Sequence, residues 1–478
     1  MEKTRRNTMV ETLKYASISI DEIIASKLRF EANVYNVEVR KAKEILKNCK
    51  WEIKFVADFI ENCFYGGRGK RNYVKKSNSD DIIGFLGSSE MLELKPNPIK
   101  FFSKKTTNIS QFSLEKGWLL ISRSGTIGNV TLVNNSLEKH LVSEHAIRII
   151  PKDYAGYLYA YFKSEVGISI VQSNIYGAVI KQIEPEHIVK ISIPNPSKEI
   201  KEKIHNLIMN SFELRDQANA LIDQAEKLLV DALKLPSFDT LQPNYYDTES
   251  EVKTFSVRLD LLNNRFDGSY HNPVVMNIID CLFDAGATIK RLDDKEITSA
   301  IFQAGRFTRN YVENENGVVF LGGKQILELN PNDKKYLSKT THKSRIEELL
   351  VKENMIAITR SGTIGKTQLI PKHWENWALS EHVLRVVPKD DTISGYLYIW
   401  LNSEFGKALI KKLTYGAVID EIEAHHLAEI PIPILKQKEV MQEINDLALK
   451  ANKLRAEAYY KEQEALQILN DEVIYATK

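Results

Sequence analysis

Two glutamate-histidine pairs carry the residue types that acid-base catalysis and metal binding use. Glu144-His145 and Glu381-His382 each follow a serine, and they occupy corresponding places in the two halves of the chain. A carboxylate beside an imidazole can relay a proton or bind zinc. Neighbours in a strand point to opposite faces, so the two side chains of a pair cannot bind one ion without a bend. We therefore expect a buried structural role, and an enzyme site at Glu144-His145 stays as an alternative.

A glycine-punctuated loop also occurs twice, as SRSGTIG at residues 122–128 and TRSGTIG at residues 359–365. The second copy continues into Lys366-Thr367, but a phosphate-binding loop needs four residues between its glycines and this loop has two. Both glycines suit a tight turn that brings backbone N–H groups near a ligand, although the turn can also be purely structural. We expect Arg123 and Arg360 to be exposed and to contact phosphate.

Basic clusters lie at corresponding places in both halves. GGRGKRNYVKK at residues 66–76 has five cations and no acid, and GRFTRNY at residues 305–311 is its counterpart. Cations, hydroxyls and amides in glycine-containing loops are the groups that contact phosphates and base edges, although any one cluster can be an ordinary solvated surface. The candidate nucleic-acid contacts are Arg68, Lys70, Arg71, Tyr73, Lys104, Lys105, Arg123, Ser124, Thr126, Tyr176, Lys181, Arg306, Arg309, Tyr311, Lys339, Thr340, Arg360, Ser361, Thr363 and Tyr415.

Signatures of catalysis are missing from the sequence. It has no Asp/Asn-Pro-Pro-aromatic tetrapeptide for methylating a base amine, no glycine-rich loop for a methyl donor and no evident carboxylate-carboxylate-lysine nuclease cluster. Cys49, Cys63 and Cys281 lack the CxxC spacing of a zinc site and predict free thiols. We expect no catalytic residue and no metal site in this chain.

Length and composition limit the class of protein. A chain of 478 residues predicts two to four domains. Hydrophobic residues at 43% and charged residues at 27% are typical of globular proteins. The net charge of +2 requires any nucleic-acid surface to be local. Since the basic N-terminus precedes no apolar stretch and no apolar run approaches the length of a membrane span, we expect a soluble cytoplasmic protein without membrane contact.

The chain is an internal duplication. Besides the glycine loop and the Ser-Glu-His tripeptide, FLG, LEL, GYLY and YGAVI recur in the same order, with the offset drifting only from 235 to 239 residues. Each half predicts a mixed α/β domain. In the first half, residues 37–61 look largely helical, residues 118–121 and 145–150 look like strands, and residues 157–173 look helical again.

Each half ends in a long predicted helix with an apolar seam, which follows ISIPNPS in the first half and IPIPI in the second. Each helix would run about 50 to 60 Å, too long to lie inside one domain. The two seams most simply pack on each other through small residues such as Ala218 and Ala451; the alternative is that each helix docks only on its own domain. The seam residues are Ile204, Leu207, Leu214, Leu221, Leu228, Ile444, Leu447, Leu454 and Ile468.

On these motifs the chain resembles the specificity subunit of type I restriction-modification systems. RFE at Arg29 and NRFDGSYHNP at residues 263–272 are similar to that family's domain-opening segment. The series GTIG, YGAVI and IPxP resembles its domain-closing segment, and the long helices are like its two conserved helical regions. The resemblance covers nearly the whole chain beyond about residue 16.

The resemblance implies a fold of two duplicated α/β target-recognition domains separated by two long antiparallel helices that form a coiled coil. The expected segments are an N-terminal extension (1–16), recognition domain 1 (17–195), a central helix (196–234), a linker (235–254), recognition domain 2 (255–434) and a C-terminal helix (435–478). Each domain would read half of a bipartite site in double-stranded DNA.

The resemblance also implies partners. The helices would dock two methyltransferase subunits, which bind S-adenosylmethionine and methylate adenine, and a restriction/translocase subunit is a further possible partner; this chain itself would need no cofactor. Lys181 after the first YGAVI becomes Asp420 after the second, so that loop would contact phosphate in only one half. The basic loops also differ, which predicts an asymmetric DNA site. A duplicated protein- or peptide-binding scaffold without DNA specificity is the alternative.

Overall fold

The structure is a computed structural model, and its described residues are 17–25, 28–30, 32–67, 71–76, 79–105, 108–177, 181–241, 254–262, 265–416 and 420–477. The predicted N-terminal extension, residues 1–16, lies outside these ranges, as do residues 242–253 of the predicted linker.

The first half contains ten described strands and ends in a long helix. Its strands are β1 Glu52–Phe55, β2 Ile60–Tyr65, β3 Tyr73–Val74, β4 Ile82–Leu86, β5 Lys100–Ser103, β6 Leu119–Ser122, β7 Val130–Leu132, β8 Leu141–Val142, β9 Ala146–Pro151 and β10 Ser192–Asn195. Its helices are α1 Ile20–Ala25, α2 Val37–Asn48, α3 Asn135–Glu138, α4 Ala155–Lys163, α5 Glu165–Ser173, α6 Pro185–Ile188 and α7 Lys198–Ala232.

The second half repeats this order. Its strands are β11 Thr288–Arg291, β12 Thr298–Phe302, β13 Gly317–Leu321, β14 Lys335–Ser338, β15 Ile356–Thr359, β16 Thr367–Leu369, β17 Ala378–Leu379, β18 Val383–Pro388 and β19 Pro431–Ile434. Its helices are α8 Pro273–Asp284, α9 Ile346–Leu349, α10 Asp391–Asn402, α11 Glu404–Lys412, α12 Ala424–Ala428 and α13 Lys438–Ile468, which continues as a π-helical turn over Leu469–Ile474.

The described strands of each half form three small sheets. In the first, β2-β9-β6-β7 form an antiparallel sheet, β3-β5-β4-β8 form a mixed sheet in which β4 and β8 are parallel, and β1 pairs with β10. The second half repeats them as β12-β18-β15-β16, β14-β13-β17 and β11-β19. Because β1 and β10 come from the start and the end of the domain, their pairing closes it just before the long helix begins.

The sequence pattern located the strands beside the glycine loop but not all element boundaries. Residues 37–61, which we expected to be largely helical, contain α2 and then two strands joined by a short 3-10 turn. The predicted helix at residues 157–173 is two helices, because Ser164 is extended and its Oγ accepts a hydrogen bond from Gly167 N at 3.1 Å. A serine in that position ends one helix and caps the next.

The repeated GYLY motif holds each domain against its own long helix. A Cβ on Gly156 would lie 2.7 Å from the carbonyl oxygen of His205, and a Cβ on Gly395 would lie 2.3 Å from that of Asn445. Glycine is therefore required for this close approach. The tyrosine that follows each glycine is fully buried and donates its hydroxyl to a backbone carbonyl of the closing strand, as Tyr157 does to Pro194 at 2.5 Å.

The two long helices pack on each other in antiparallel orientation, as predicted. Ile204 and Phe212 near the start of α7 share an apolar cluster with Ala465 and Ile468 at the end of α13, and the end of α7 clusters with the start of α13. Ser211 Oγ donates to the Ala458 carbonyl at 2.7 Å. At about 1.5 Å per residue, the 35 residues of α7 extend about 50 Å.

The buried faces of the helices are wider than the predicted seam. Ile204, Leu214, Ile444 and Ile468 are buried as expected, whereas the other predicted seam residues, Leu207, Leu221, Leu228, Leu447 and Leu454, are only half-buried. The fully buried large residues of α7 include three outside the seam, Ile208, Ile222 and Leu229. The reason is that each helix packs both on its partner helix and on the domains, so a strict heptad describes only part of the contact.

Candidate nucleic-acid interface

The glycine loop forms the same exposed turn in both halves. Gly125 and Gly128 have φ of +78° and +93°, and their counterparts have +72° and +84°. These values are strained for residues with a Cβ, which explains the glycines. Ile127 is buried and anchors the turn, while Thr126 and its counterpart Thr363 are exposed at the tip. The turn therefore presents a hydroxyl and backbone groups to solvent on a fixed base.

A serine-histidine hydrogen bond joins this turn to the Ser-Glu-His tripeptide. Ser124 Oγ lies 2.7 Å from His145 Nδ1, and Ser361 Oγ lies 2.8 Å from His382 Nδ1. Each histidine side chain is 41% exposed. The tripeptide forms a turn before β9 and β18, and not a strand as we expected, so the imidazole faces solvent beside the turn.

The glutamate of the tripeptide is buried in an ion pair. Arg71 Nη2 lies 2.5 Å from both carboxylate oxygens of Glu144, and Arg309 Nη2 lies 2.5 Å from Glu381 Oε1. His145 Nε2 is 3.7 Å from Glu144 Oε1, too long for a hydrogen bond. The Ser-His-Glu arrangement thus differs from a nucleophilic triad, in which the acid binds the histidine. It holds the turn in place.

The aromatic ring beneath each arginine is also repeated. Arg71 lies over the Phe85 ring, 5.5 Å from its centroid, and Arg309 lies 5.3 Å from that of Phe320. The neighbouring Tyr73 ring stacks on Phe102 at 5.2 Å. Cation–π and stacking contacts of this kind fix the arginine and tyrosine side chains at the surface. Tyr73 and Tyr311 are 43% and 39% exposed.

Two buried arginines support the site and were missed by the sequence analysis. Arg148 on β9 is fully buried, and it donates to the backbone carbonyls of Val142, Ser143, Ala146 and Phe112. Arg385 repeats these bonds with the equivalent carbonyls of the second half. Burial lowers the pKa of each guanidinium to about 10. The sequence offers one signal for these two residues, which is an arginine at an inward-pointing strand position in both repeats.

The expectation that Arg123 and Arg360 are exposed is wrong. They are 3% and 4% exposed. Arg123 pairs with Glu184 and lies over the Tyr65 ring at 4.4 Å, and Arg360 pairs with Glu421 at 3.0 Å. Both arginines follow the last residue of an interior strand, so their side chains turn under the loop toward the acid. They fix the loop, and they cannot reach a phosphate without breaking these pairs.

The YGAVI segment begins a hairpin that lies against the glycine loop. Tyr176 and Gln182 exchange two backbone hydrogen bonds of 3.0 and 2.9 Å, and Tyr415 and Glu421 repeat the pair at 3.0 and 2.8 Å. Ser124 and Ser361 bridge to these hairpins. The last three residues of each YGAVI, 178–180 and 417–419, lie outside the described residues. Lys181 and its counterpart Asp420 are exposed, so the hairpins differ in charge.

The remaining candidates surround these loops. Lys104 and Lys105 are exposed after β5, where Lys105 pairs with Asp81. Lys339 and Thr340 are exposed after β14, the equivalent strand. Arg306 is largely exposed and lies 3.4 Å from Glu421. Arg68 and Lys70 lie outside the described residues.

The described surface presents groups that can contact phosphates and bases. It offers hydroxyls, imidazoles and cations on rigid turns. No group of three or more His, Cys, Asp or Glu side chains suited to holding a metal ion occurs in the described ranges.

The described helices include none long and apolar enough to cross a membrane.

Comparisons with known proteins identify the family. The family model described as "Type I restriction modification DNA specificity domain" matches twice, at residues 36–225 and 301–454. The type I restriction enzyme MjaIX specificity subunit of Methanocaldococcus jannaschii is 22% identical over 214 residues, which are 44% of this chain. That match spans about half (47%) of the relative's length.

Two solved structures cover most of the chain at low similarity. The type I restriction-modification S subunit of M. genitalium is 13% identical, with a TM-score of 0.31 and coverage of 90% of this chain and 96% of that chain. The HsdS subunit of Thermoanaerobacter tengcongensis is 12% identical, with a TM-score of 0.27 and coverage of 89% and 96%. The assignment rests on the family model, which matches well over half of the residues in two copies. This chain belongs to the family of type I restriction modification DNA specificity domains.

Proposed function

We propose that this chain is the DNA sequence-recognition subunit of a type I restriction-modification complex, in which each half reads one part of an asymmetric, bipartite site. The observation that carries the proposal is that the two halves share the same set of loop contacts but carry different cations. Both halves have the same glycine turn, Ser-His hydrogen bond and Arg-Glu ion pair. They differ in charge, because Lys181 of the first half corresponds to Asp420 of the second and the cations of the flanking loops also differ. A constant frame with variable loops is how two related domains read two different half-sites.

The antiparallel helices supply the spacing. A rod of about 50 Å corresponds to about one and a half turns of duplex DNA at roughly 34 Å per turn, and so sets the separation of the half-sites. The chain's near-neutral charge favours an affinity shared with other subunits. We propose two adenine methyltransferase subunits as these partners, with S-adenosylmethionine bound by them, in a cytoplasmic complex that a restriction/translocase subunit can join.

The proposed DNA contacts are the exposed or half-exposed candidates. Arg123 and Arg360 are positioning residues in this proposal, because they are buried in ion pairs. The remaining described contacts are Arg71, Tyr73, Lys104, Lys105, Ser124, Thr126, Tyr176, Lys181, Arg306, Arg309, Tyr311, Lys339, Thr340, Ser361, Thr363 and Tyr415.

The test combines partner capture with methylation mapping. The tagged chain is purified from its native host, and co-purifying proteins are identified by mass spectrometry; we expect an adenine methyltransferase at two copies per chain. Adenine methylation is then mapped in the host and in a strain that lacks this gene, where one bipartite, non-palindromic motif should lose its methylation. Recovery of no methyltransferase, together with an unchanged methylation map, would favour the peptide-binding scaffold instead.

A further inference from the structure

A buried polar network lies where the two helices and the two halves meet. Glu462 on α13 is fully buried and accepts hydrogen bonds from Arg215, from Asn330 Nδ2 at 2.6 Å and from Tyr159 Oη at 3.2 Å. Lys163 Nζ donates to the Asn330 carbonyl at 2.5 Å. The Glu462 carboxylate therefore compensates the buried positive charges around it, as buried charges require.

The duplication places a second version of this network on the other side of the helix pair. The helices correspond residue by residue, with Ile204 equivalent to Ile444 and Ala218 equivalent to Ala458. The equivalents in the second version are Arg455 for Arg215, Tyr398 for Tyr159, Asn402 for Lys163, Lys95 for Asn330 and Ile222 for Glu462. The arginine and the tyrosine are retained, but isoleucine stands in place of the carboxylate.

Arg455 consequently lacks the counter-ion that its equivalent has. Its side chain is 2% exposed, its Nη1 lies 3.4 Å from Tyr398 Oη, and its Nε has no hydrogen-bond partner in the described part of the chain. Among the described residues, no ion pair within 4 Å is formed by Arg455 or by the half-buried Lys407. Burial lowers the pKa of Lys407 to about 8, although the nearby Glu226 and Glu93 act to raise it. Uncompensated positive charge in a buried place is unfavourable unless an anion occupies it.

A cavity of about 480 Å³ opens beside these two cations. It lies between the loop after β4 in the first half and the glycine turn of the second half, with Tyr398 and Phe405 as part of its wall. Its other cations are Lys95, Lys366 and Lys411, and its acids are Glu93, Glu226 and Glu404. Glu93 pairs with Lys366 and Glu404 pairs with Lys76. Glu226 lies 3.6 Å from Lys95, which also pairs with Asp223 at 2.5 Å.

We propose that this cavity binds a small phosphate-bearing molecule, whose phosphate lies against Arg455 and Lys407 and compensates them as Glu462 compensates Arg215. A phosphate fits because these two cations form no ion pair within the described part of the chain and because a guanidinium binds a phosphate in bidentate geometry. The volume exceeds that of a lone ion and is within the range of pockets for small organic ligands. The cavity borders the glycine turn of the second half at Thr363, but binding of a small ligand at Arg455 and Lys407 goes beyond the proposed function.

The test measures binding to the purified full-length chain. Calorimetry and thermal unfolding are followed with adenosine monophosphate and, separately, with inorganic phosphate, while sodium chloride keeps the ionic strength constant. We expect saturable binding at one site per chain and a rise in Tm. Tighter binding of adenosine monophosphate assigns the cavity to a nucleotide-sized molecule, and equal binding of both assigns it to free phosphate. No saturable binding of either probe overturns the proposal.

Variants separate this site from general surface attraction. Arg455→Met should weaken binding at least about tenfold, whereas Lys450→Met, which removes an exposed lysine of the same helix, should leave it unchanged. Ile222→Glu supplies the missing carboxylate, so it should abolish the ligand-induced rise in Tm even if Arg455→Met does not fold. Equal loss in Lys450→Met would contradict a dedicated small-molecule site.

Discussion

The backbone amide of Leu94 donates a 2.8 Å hydrogen bond to the carbonyl of Leu327. These residues belong to the two copies of the LEL motif, so the bond joins equivalent loops of the two halves. Leu94 and Leu329 also share a buried apolar cluster with Leu214 of α7 and Ala458 of α13. This contact joins the halves to each other and to the helices and, together with ion pairs such as Glu93–Lys366, fixes the relative orientation of the two candidate DNA-reading surfaces.

The charge difference between the two hairpins predicts unequal contributions to DNA binding. Lys181→Ala should weaken binding by the assembled complex and reduce the slope of log affinity against log salt by about 1, because one phosphate contact is lost. The recognised sequence should not change. Fluorescence anisotropy with a duplex that contains the methylated motif, at several salt concentrations, measures both quantities. Asp420→Ala is the matched control at the equivalent position, and a reduced slope in that variant would contradict the assignment.

The buried arginine beneath the Ser-Glu-His turn should be needed for stability. Arg148→Met removes the donors to four backbone carbonyls, so we expect the free energy of unfolding to fall by about 2 to 4 kcal/mol. Urea unfolding followed by circular dichroism measures the change. Arg291→Met is the control, because that strand arginine is exposed and pairs only with a neighbouring aspartate. Equal effects of the two substitutions would refute the positioning role of Arg148.

The Glu462 network should contribute far more than a surface pair on the same helix. Glu462→Gln leaves the buried Arg215 without its counter-ion, so we expect the free energy of unfolding to fall by about 3 kcal/mol or more. Glu464→Gln removes a glutamate whose side chain is 53% exposed, and its effect should stay below about 1 kcal/mol. Thermal and urea unfolding of both variants test the difference, and a loss of under about 1 kcal/mol in Glu462→Gln would show that the network is dispensable.

The close approach of α10 to α13 predicts a specific glycine requirement. A Cβ on Gly395 would lie 2.3 Å from the Asn445 carbonyl oxygen, so Gly395→Ala should force the helices apart and cost about 2 to 3 kcal/mol. Gly268→Ala provides the comparison, since its Cβ would meet nothing within 4 Å. The Tm of each variant is the readout. A wild-type Tm for Gly395→Ala would mean that the helices do not pack as closely as described.

A buried histidine predicts a loss of stability in mild acid. Burial lowers the pKa of His373 to about 3, while an unfolded histidine titrates near about 6.5. Between these two pKa values only the unfolded chain binds the proton. The free energy of unfolding is therefore unaffected above the unfolded pKa and falls as the pH drops below it, by about 2 kcal/mol at pH 5. His373→Phe keeps a ring against Tyr459, which stacks on the histidine at 4.0 Å, and should remove this part of the pH dependence. Urea unfolding at pH 7 and pH 5 measures it, and an unchanged pH dependence in the variant would contradict the assignment.

The sequence alone determined the duplication, the glycine turns and the two long helices. These features are written in local patterns, because repeated tripeptides, glycine spacing and apolar periodicity need no knowledge of distant residues. The family resemblance followed from the order of the same motifs. The small residues of the helix contact, Ala218 and Ala451 among them, were also readable, and both are fully buried.

Only the tertiary structure decided which charged side chains face solvent. Arg123 looked exposed in its loop, but its partner Glu184 lies 61 residues further along the chain. The Arg215–Glu462 pair joins residues 247 positions apart. That Arg455 has no such carboxylate beside it is recognised only when the two versions of the network are compared in space. The exposure and the partners of a charged group depend on elements that are distant in sequence, and no local pattern encodes that packing.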